Sequence, residues 1–507
     1  MDKFFETLAN INGVINDFVW IKIGLVLLLG SGILMTCCTK FFQVFHIGHW
    51  FKNTLGTIFS RNSDTTKKTG KKTISQFQAL CTALAATIGT GNIAGVAAAI
   101  CIGGPGAVFW MWIAAFFGMM TKFSEATLGI YFRRRNADGE WSGGAMYYLK
   151  DGLGKRKGFK GIASVLAVLF AVFTILASFG IGNMGQVNKI TLTMQSAFFE
   201  NVNLGTVAGM PVMNIIIGAI LMLLSGLIIL GGLQRLANVA EKIVPFMAIT
   251  YLIGALVIMI INIQSIGAIF ASIFKFAFGV KAVAGASAGI LLKTVITQGC
   301  KRGMFSNEAG MGSSAMVHAS SEVKEPVKQG MWGILEVFLD TFVVCTMSAI
   351  VVLSSGMIDL NTGLVAEGVN DATLVSQVFG NTFGIVGEIF AAMAMFLFAY
   401  TTVLGWSQYG TKATEYLFGS KGAKVYQVIF VLMTVSGAVM TSSLAWDISD
   451  TFNGLMMIPN LIGVVALMPL VSRLTKNYIS RNIKGQQVEP MLSYDPELQK
   501  EMLEKVN

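Results

Sequence analysis

The sequence has few charged residues, and long stretches have none. Asp, Glu, Lys and Arg make up 13% of the 507 residues and hydrophobic residues make up 54%, whereas soluble domains are about 25% charged. Residues 73–121 contain none of the four charged types over 49 consecutive positions. Since a membrane-spanning helix needs about 20 apolar residues, this segment is long enough to cross twice, with a turn at Gly103–Gly106. The scarcity of charge argues against a soluble protein and predicts a polytopic membrane protein.

Residues that commonly build catalytic or metal centres are scarce too. Three histidines occur, at His46, His49 and His318, and all are predicted to lie outside the functional core. There is no HExxH or CxxC motif, and the one GxSxG match, Gly285–Gly289, opens an apolar span and follows no strand, unlike a nucleophile elbow. We therefore expect no enzyme activity, no catalytic residue and no cofactor. The formal net charge of +10 lies mainly between apolar runs, which favours membrane topology over nucleic-acid binding.

Apolar runs long enough to cross a bilayer predict eleven helices, so the expected fold class is an all-α polytopic membrane protein. Basic residues concentrate in alternate connecting segments, among them 131–160 and the tail after 472. Because cytoplasmic segments are rich in Lys and Arg, the N-terminus is predicted outside and the C-terminus in the cytoplasm, in the plasma membrane. The predicted spans are 18–39, 75–102, 105–131, 160–186, 211–232, 243–264, 286–316, 331–355, 379–406, 425–445 and 449–473.

Several segments outside the main spans also carry expectations. No basic region with a cleavage site precedes the first span, so that span is predicted to be a retained anchor and not a cleaved signal. Residues 41–59 and 265–281 could lie on the inner and outer membrane surfaces as amphipathic helices. The tail from Asn477 is expected to be solvated and partly disordered. The six cysteines are expected to be buried free thiols.

The ten helices after the first span divide into two halves of five. An odd number of helices per half inverts the second half, and inverted repeats are typical of secondary transporters. Each half begins with a helix interrupted by glycines, at Gly89–Asn92 in the first half and at Gly299–Gly312 in the second. Irregular backbone at that depth persists only where protein or a polar cavity covers it, so the two breaks are the predicted site. The predicted segments are 1–74 (extracellular N-terminus, first span and basic cytoplasmic segment), 75–264 (first repeat), 265–285 (extracellular connection), 286–473 (second repeat) and 474–507 (cytoplasmic tail).

Polar side chains cluster in both breaks. Thr90, Asn92 and residues 306–308 favour ligand binding, because such groups are costly in a membrane without a partner. The small residues at 94–99 favour close helix packing instead. Half-helix N-termini attract a carboxylate, whereas freed carbonyls at half-helix C-termini attract an ammonium group or Na⁺. The arrangement therefore suits a zwitterionic amino acid.

Five stretches carry a more specific pattern: TIGTGNIAGVAAAICIGGPGAVFWMW, GMMTKFSEATL, GGAMYYL, KRGMFSNEAGMGSSAMVHAS and FAYTTVLGWSQYG. In these stretches the chain closely resembles the alanine or glycine:cation symporters, a family of the amino acid-polyamine-organocation superfamily. The signature RG-x-FSNEAG-x-GS occurs together with TGNIAGVA, and the resemblance covers about 75–473. It implies sodium-coupled amino-acid transport and a leucine-transporter-like 5+5 inverted-repeat fold. The extra N-terminal helix of that family matches the span 18–39.

The resemblance implies a substrate site between the two breaks. Some relatives carry Asp where Asn307 stands, a difference that alters the electrostatics around the ammonium group. The implied substrate-binding residues are Gly89, Thr90, Gly91 and Asn92 in the first break, Gln186 on the third helix of the first half, and Phe305, Ser306 and Asn307 in the second break.

The resemblance also implies sites for the coupling ion, Na⁺, which prefers oxygen ligands. One site would use carbonyls near Ala85 and Ile88 with the hydroxyls of Thr401 and Thr402. A second would use Thr87 and Asn92 beside the substrate carboxylate. The alternative for the Thr401 and Thr402 hydroxyls is hydrogen bonding to carbonyls of their own helix.

Charged residues within the predicted spans are expected to be paired. Lys122 and Glu125 lie three residues apart and are predicted to pair on one helix face. Lys301 and Arg302 are predicted to form a gate or to pair with Glu308. Asp340 is expected to pair with one of these two cations, with proton relay as the alternative.

Together these features predict sodium-driven symport of a small neutral amino acid by alternating access. Phe305, closing against Gly91 and Ala94, would leave little room for a long side chain, which favours alanine or glycine. The alternatives are a proton-coupled or glutamine-preferring transporter, a channel, or a sensor that binds without transport. The expected partners are the amino acid, Na⁺ and the lipid bilayer, with no nucleic acid and no obligate protein partner.

Overall fold

A computed structural model describes residues 2–58, 73–199, 202, 204–207, 209–278, 292–369, 373–440 and 443–504. The Gly285–Gly289 match and the predicted start of the second half at 286 lie outside these residues. The described chain is mainly helical, with two short antiparallel strand pairs. The strands are β1 (Arg134–Arg135), β2 (Trp141–Ser142), β3 (Thr206–Val207) and β4 (Met210–Pro211).

The helices follow the predicted spans closely. In the first part of the chain they are α1 (Asp2–Asp17), α2 (Leu25–Cys38), α3 (Phe42–Phe45), α4 (Ile47–Asn53), α5 (Leu55–Ile58), α6 (Gln76–Thr87), α7 (Val96–Gly103), α8 (Gly106–Tyr131), α9 (Ala145–Tyr147), α10 (Lys160–Phe179), α11 (Gly185–Phe198), α12 (Val212–Ile229), α13 (Gly232–Ile261) and α14 (Ile266–Phe278). After the gap they are α15 (Leu292–Asn307), α16 (Ala315–His318), α17 (Pro326–Val337), α18 (Thr346–Leu353), α19 (Leu374–Phe383), α20 (Ile385–Val439), α21 (Ser443–Ala466), α22 (Met468–Asn482) and α23 (Pro496–Glu504). Segments of π-helix lie at Phe18–Gly24, Gly91–Gly95, Tyr148–Gly152, Gly180–Met184 and Phe338–Cys345, and 3₁₀ turns lie at Leu153–Lys155 and Ile263–Ser265.

Eight helices of the described chain are long and apolar enough to cross a membrane, or nine when one bent pair is counted as a single span. The longest helix, α20, passes through a kink at Gly419, whose φ is +71°, and so covers most of the two predicted spans 379–406 and 425–445. Helix α15 has only 16 residues, and three of them are charged. With both halves of α20 and with α15, the helices match the eleven predicted crossings.

The first broken helix is the bent pair α6 and α7. Ser75 begins α6 with a capping box, in which its hydroxyl accepts from the Gln78 amide and the Gln78 side chain accepts from the Ser75 amide. At the other end Ile88 adopts an extended conformation (φ −77°, ψ 92°), and the chain turns by 57° before resuming at Gly91. The break therefore exposes the C-terminal carbonyls of α6 to the protein interior.

The second broken helix ends at Asn307. Glu308 follows with φ +53°, a left-handed conformation that is uncommon outside glycine, and Gly310 and Gly312 also have positive φ. A Cβ atom at Gly310 would lie 2.2 Å from a Leu28 methyl carbon, so α2 packs directly against this segment. At Gly310 and Gly312 the positive φ and the close contacts both require glycine.

Helix α8 packs between α15 and α17, and α20 packs against α10, α11 and α12. Both breaks lie where these groups of helices meet. Helix α1, which precedes the predicted span 18–39, continues through the π-helical segment into α2. Helix α1 packs against α21, and α2 packs against α8 and α21. The breaks are thereby enclosed by other helices, as the membrane-depth argument requires.

One surface segment differs from expectation. Within the predicted segment 41–59, the described residues form three short helices between 42 and 58, α3 to α5, with Phe42 and Trp50 buried and Phe45 74% exposed. No disulfide joins any of the six cysteines, as predicted, but Cys37 is exposed and Cys38 and Cys101 are half-buried, so the prediction that every thiol is buried was wrong for these three residues.

Much of the C-terminal tail, which is described as far as Glu504, packs on the protein and is not solvated as predicted, although residues 482–489 are exposed. The Tyr494 amide donates to the Tyr131 carbonyl over 3.1 Å, and its ring packs on Phe132 with centroids 5.0 Å apart. Its hydroxyl bonds to Asp151 over 3.2 Å. The tail docks because it brings its own apolar residues, Leu492 and Met502, against Trp141.

Candidate substrate and ion site

The two breaks enclose a small cavity, here named the inner cavity. Its volume is about 20 Å³, which is room for about one water molecule. Phe305, Gly91 and Thr402 bring the second break, the first break and α20 into contact around it. The lining residues are Ala86, Thr87, Gly89, Thr90, Gly91, Ile181, Gln186, Phe305, Ser306, Glu308, Thr402, Trp406 and Asn453.

The first break supplies backbone and one hydroxyl to the inner cavity. The Gly89 amide donates to Oδ1 of Asn92 over 2.9 Å, so the Ala85 carbonyl loses the helical donor four residues ahead. The Thr90 hydroxyl donates to Oε1 of Gln186 over 3.2 Å. Asn92 itself points away from the cavity and does not line it, although the sequence places it in the substrate site.

The second break supplies an aromatic wall. Phe305 lies close to the first break, since a Cβ atom at Gly91 would be 3.5 Å from its ring. Ser306 also lines the cavity. Asn307 does not: its amide donates to the Thr341 hydroxyl over 3.0 Å, and its Oδ1 accepts from the Ala309 amide over 3.0 Å. Asn307 is therefore placed to hold the shape of the break.

Asp340 is fully buried between the breaks. One carboxylate oxygen accepts from Asn92 over 2.6 Å, and the other accepts from Ser306 over 2.9 Å and from Thr341 over 2.8 Å. Within the described part of the chain no ion pair includes Asp340, so the expected pairing with Lys301 or Arg302 was wrong. A single carboxylate instead accepts hydrogen bonds from both broken helices.

The residues predicted to hold Na⁺ gather at the end of α6 and on α20. The Thr402 hydroxyl lines the inner cavity and donates to the Phe398 carbonyl over 2.9 Å. The Thr401 hydroxyl donates to the carbonyls of Leu397 and Phe398 over 2.9 and 3.0 Å. Both follow the alternative of bonding within their own helix, which leaves the lone pairs of each oxygen available.

The first break abuts Thr402 directly. A Cβ atom at Gly89 would lie 2.4 Å from its Oγ1. Ala85 is fully buried and Ile88 is 1% exposed at this junction, whereas Thr87 lines the cavity and donates to the Ala83 carbonyl over 3.2 Å. The Thr402 hydroxyl therefore lies against the backbone at Gly89, just after the end of α6.

A network of buried charged side chains on α8 and α17 differs from the predicted pairs. Lys122 pairs with Glu336 over 3.2 Å, whereas Glu125 accepts from the Gly312 amide over 3.1 Å and from Asn460. The predicted pairing of Lys122 with Glu125 was therefore wrong, because the two side chains meet different helices. His318 is also not peripheral: it is fully buried and bonds to Glu336 over 2.8 Å.

Five lining residues were not among the predicted substrate- or ion-binding residues: Ala86, Ile181, Glu308, Trp406 and Asn453, although Glu308 belongs to the predicted polar cluster at 306–308. Trp406 lies within the FAYTTVLGWSQYG stretch, and a Cβ atom at Gly182 would lie 2.4 Å from the Trp406 Cβ, so the small glycines around Ile181 are the signal that helices meet there. Asn453 gives no comparable signal, because Asn460 lies in the same apolar span and nothing in the sequence shows which of the two amides reaches the cavity.

Comparisons with known proteins agree with this architecture. Residues 5–491 match the model of the sodium:alanine symporter family. The chain is 42% identical over 482 residues to "Sodium/alanine symporter AgcS" of Methanococcus maripaludis, covering 94% of this chain and 98% of that protein. It is 36% identical over 504 residues to "Probable sodium/glutamine symporter GlnT" of Bacillus subtilis, covering 99% and 95%.

Among solved structures, MhsT in complex with L-phenylalanine aligns with a TM-score of 0.53 at 14% identity, over 80% of this chain and 99% of that one. A likeness at this identity shows the fold alone. It confirms the predicted leucine-transporter-like architecture of the membrane helices.

Proposed function

Because this chain belongs to the sodium:alanine symporter family, we propose that it couples an inward flow of Na⁺ to the uptake of alanine or glycine. The predicted resemblance to alanine or glycine:cation symporters is thereby confirmed. The chain is a multi-pass membrane protein and a secondary amino-acid transporter. What we propose is the identity of the coupling ion and of the transported amino acid.

The observation that carries the proposal is the inner cavity, which both broken helices border. Its lining combines backbone groups, a few neutral polar side chains and the carboxyl group of Glu308, a set that suits a zwitterion. In this closed conformation it has room for about one water, so a substrate enters only as the walls separate. Phe305 and Trp406 bound it on two sides, which favours a side chain no larger than a methyl group.

For Na⁺ we propose two sites from neutral oxygens. The first uses the carbonyls of Ala85 and Ile88 and the hydroxyls of Thr401 and Thr402, at the end of α6. The freed Ala85 carbonyl and the closeness of Thr402 to Gly89 support it.

The second proposed site uses Thr87 and Asn92 beside the substrate carboxylate. Asp340 supports it, since a fully buried carboxylate with no paired cation among the described residues is costly and attracts one. The Asn92 hydrogen bond to Asp340 places that negative charge next to this site.

For the substrate we propose that Gly89, Thr90, Gly91 and Gln186 face one side and Phe305 and Ser306 the other. Asn92 and Asn307 support these positions from behind, through Asp340 and Thr341 respectively. Access alternates as the broken helices rock against α10, α11 and α20. In this scheme 75–264 and 286–473 are the two repeats, with the N-terminus outside and the C-terminus in the cytoplasm.

The second candidate is a glutamine transporter, because the relative GlnT carries that substrate in its name. Proton coupling, a channel and a non-transporting sensor are the other readings. A tight cavity argues against a channel, because an open pore would need a continuous path past Phe305.

The deciding experiment is radiolabelled alanine uptake into proteoliposomes of the purified protein, with and without an inward Na⁺ gradient. Excess unlabelled glycine and glutamine serve as competitors. Concentrative uptake that requires Na⁺ and is inhibited by glycine supports the proposal. Uptake driven equally by a proton gradient would reassign the coupling ion. Uptake inhibited only by glutamine would reassign the substrate. Binding without uptake indicates a sensor.

A further inference from the structure

A second cavity lies on the other side of Phe305 from the inner cavity. This cavity, here named the vestibule, has a volume of about 310 Å³. Phe305 borders both cavities, so its ring separates them. The vestibule is lined by α15 and α21, but half of its lining residues come from α1. Helix α1 lies outside both predicted five-helix repeats.

An ion pair joins two of the helices that line the vestibule. Lys301 on α15 lies 3.6 Å from Oδ2 of Asp450 on α21. The two side chains are 21% and 14% exposed, so they are partly shielded from solvent. Since α15 carries Phe305 one turn further along, α15 and α21 must separate here before anything can pass from the vestibule to the inner cavity.

The chain before α2 holds the α21 side of this pair. Asn16 donates through its amide to Oδ2 of Asp450 and to the Thr451 hydroxyl, each over 3.0 Å. The indole N–H of Trp20 donates to the Asp450 carbonyl over 3.2 Å. Two of these hydrogen bonds thus hold the side chain and the backbone of Asp450, and the third holds the adjacent Thr451.

Trp20 also contacts the α15 side. The Lys301 ammonium lies 5.3 Å from the centre of the Trp20 ring, within the range of a cation–π interaction. The Phe305 ring lies 6.5 Å from it, centroid to centroid. Trp20 is 2% exposed. One buried indole therefore touches Asp450, Lys301 and Phe305.

We propose that Asn16 and Trp20 are gate-positioning residues, and that this extra N-terminal segment is a working part of the gate between the vestibule and the inner cavity. Asn16 and the indole N–H hold Asp450 where Lys301 reaches it, and the Trp20 ring holds Lys301 and Phe305 in the closed position. Opening separates α15 from Trp20, whereas the contacts of Asn16 with α21 persist. The inference rests on the proposed function only in taking the inner cavity as the substrate's site.

The test measures how fast a thiol reagent that cannot cross membranes reaches a cysteine behind the gate. Ile181→Cys provides that cysteine, because Ile181 lines the inner cavity and a thiol is smaller than its side chain. The reagent is applied separately to each face of sealed vesicles. A second protein with Gly13→Cys identifies the vestibule face, because a side chain at Gly13 meets no atom within 4 Å. The labelling of the six native cysteines is subtracted.

Asn16→Ala and Trp20→Phe are the test variants, and the second removes the N–H donor but keeps an aromatic ring. Each is expected to raise the labelling rate from the vestibule face about fivefold to tenfold, the population shift that follows from losing one or two hydrogen bonds. The matched control is Val14→Ala on the same helix, whose side chain is 72% exposed, and its rate should not change. In a Lys301→Ala background, where the gate pair is already absent, Trp20→Phe should add little, as expected for coupled residues.

Unchanged labelling in both test variants, with normal elution on size exclusion, would overturn the inference. So would an equal increase from the opposite face, which would indicate general loosening and no gate. The labelling assay does not depend on transport. If the parent protein fails to take up alanine while the variants still label faster, the proposed function fails and the gate stands.

Discussion

The side-chain amide of Asn92 donates to a carboxylate oxygen of Asp340 over 2.6 Å, across 248 positions of sequence. The other oxygen of the same carboxylate accepts from Ser306. The two broken helices therefore share one buried negative charge. A change in the position of either break alters the surroundings of that charge, which provides a direct physical link between the two halves of the site.

Replacing this charge should weaken the response to Na⁺. Asp340→Asn removes the negative charge that attracts a cation. Its amide also has only one oxygen, so its NH₂ group must face either the Asn92 amide or the Ser306 and Thr341 hydroxyls, which now donate to Asp340. We expect the Na⁺ concentration for half-maximal alanine uptake to rise about tenfold or more, which corresponds to about 1.4 kcal/mol. Asp359→Asn, in the exposed loop after α18, is the matched control. Unchanged Na⁺ dependence in Asp340→Asn would remove Asp340 from the ion site.

Thr402 and Thr401 should differ in their effects, although they are adjacent. Thr402 lines the inner cavity, whereas the Thr401 hydroxyl also contacts the sulfur of Met247 at 3.4 Å. Thr402→Ala is expected to raise the half-maximal Na⁺ concentration severalfold, and Thr402→Ser should retain most of the parent affinity because it keeps the oxygen. The measurement is uptake at varied Na⁺ with saturating alanine. Equal affinity in the Ala and Ser variants would show that the hydroxyl does not bind the ion.

A methyl group at Gly89 should block transport. The added Cβ would lie 2.4 Å from Oγ1 of Thr402, so either the break or α20 must shift. Gly95→Ala is a matched control from the same broken helix, since nothing lies within 4 Å of a Cβ there. We expect Gly89→Ala to lose more than about 90% of uptake, a factor that corresponds to about 1.4 kcal/mol, while Gly95→Ala stays near the parent level. Similar uptake in the two variants would mean that the close approach is not essential.

Enlarging the wall at Phe305 should change the substrate range. Phe305→Ala removes the ring that faces Gly91 and adds room for a longer side chain. Because each methylene in a pocket is worth about 1–3 kcal/mol of discrimination, glutamine should become at least about tenfold more effective as a competitor of alanine uptake. Phe418→Ala, at a position 70% exposed, is the control. No change in the order of competitors would show that Phe305 does not set substrate size.

The buried pair Lys122–Glu336 should matter for stability. Lys122→Met leaves the Glu336 carboxylate buried without its lysine, which typically costs about 3–5 kcal/mol. We expect a clear fall in the midpoint of thermal unfolding in detergent. The double variant Lys122→Met/Glu336→Gln should recover much of the loss, because no unpaired charge remains. A double variant as unstable as the single one would indicate that packing at 122, and not charge, is responsible.

The sequence predicted the places where the helices break, because Gly-Thr-Gly-Asn and the glycine-rich run after residue 299 are strong local signals. It also predicted Gln186 and Phe305, but only through the family signature. Trp406, Ile181 and Asn453 reach the same cavity from α20, the π-helical segment after α10 and α21. Their convergence depends on tertiary packing, which no local spacing reveals.

Charge pairing was the weakest part of the prediction. Lys122 and Glu125 have the spacing of a helical pair, but in a buried helix the partners come from neighbouring helices, and Glu336 is over two hundred residues away. The predicted pairing of Asp340 with Lys301 or Arg302 failed for the same reason, since the hydrogen-bond partners of Asp340 lie on α15 and in the first break. The i, i+3 and i, i+4 pairing rules describe helices in water, where no side chain of a neighbouring helix competes to pair with the charged group.

The docked tail has a practical consequence for handling the protein. Tyr494, Leu492 and Met502 cover Phe132 and Trp141, so a version cut after α22 would present those aromatic rings to water and would be prone to self-association. An affinity tag joined directly after residue 507 would follow a docked helix, and a bulky fusion there could lever it away. A long, flexible spacer before the tag is the safer design for purification.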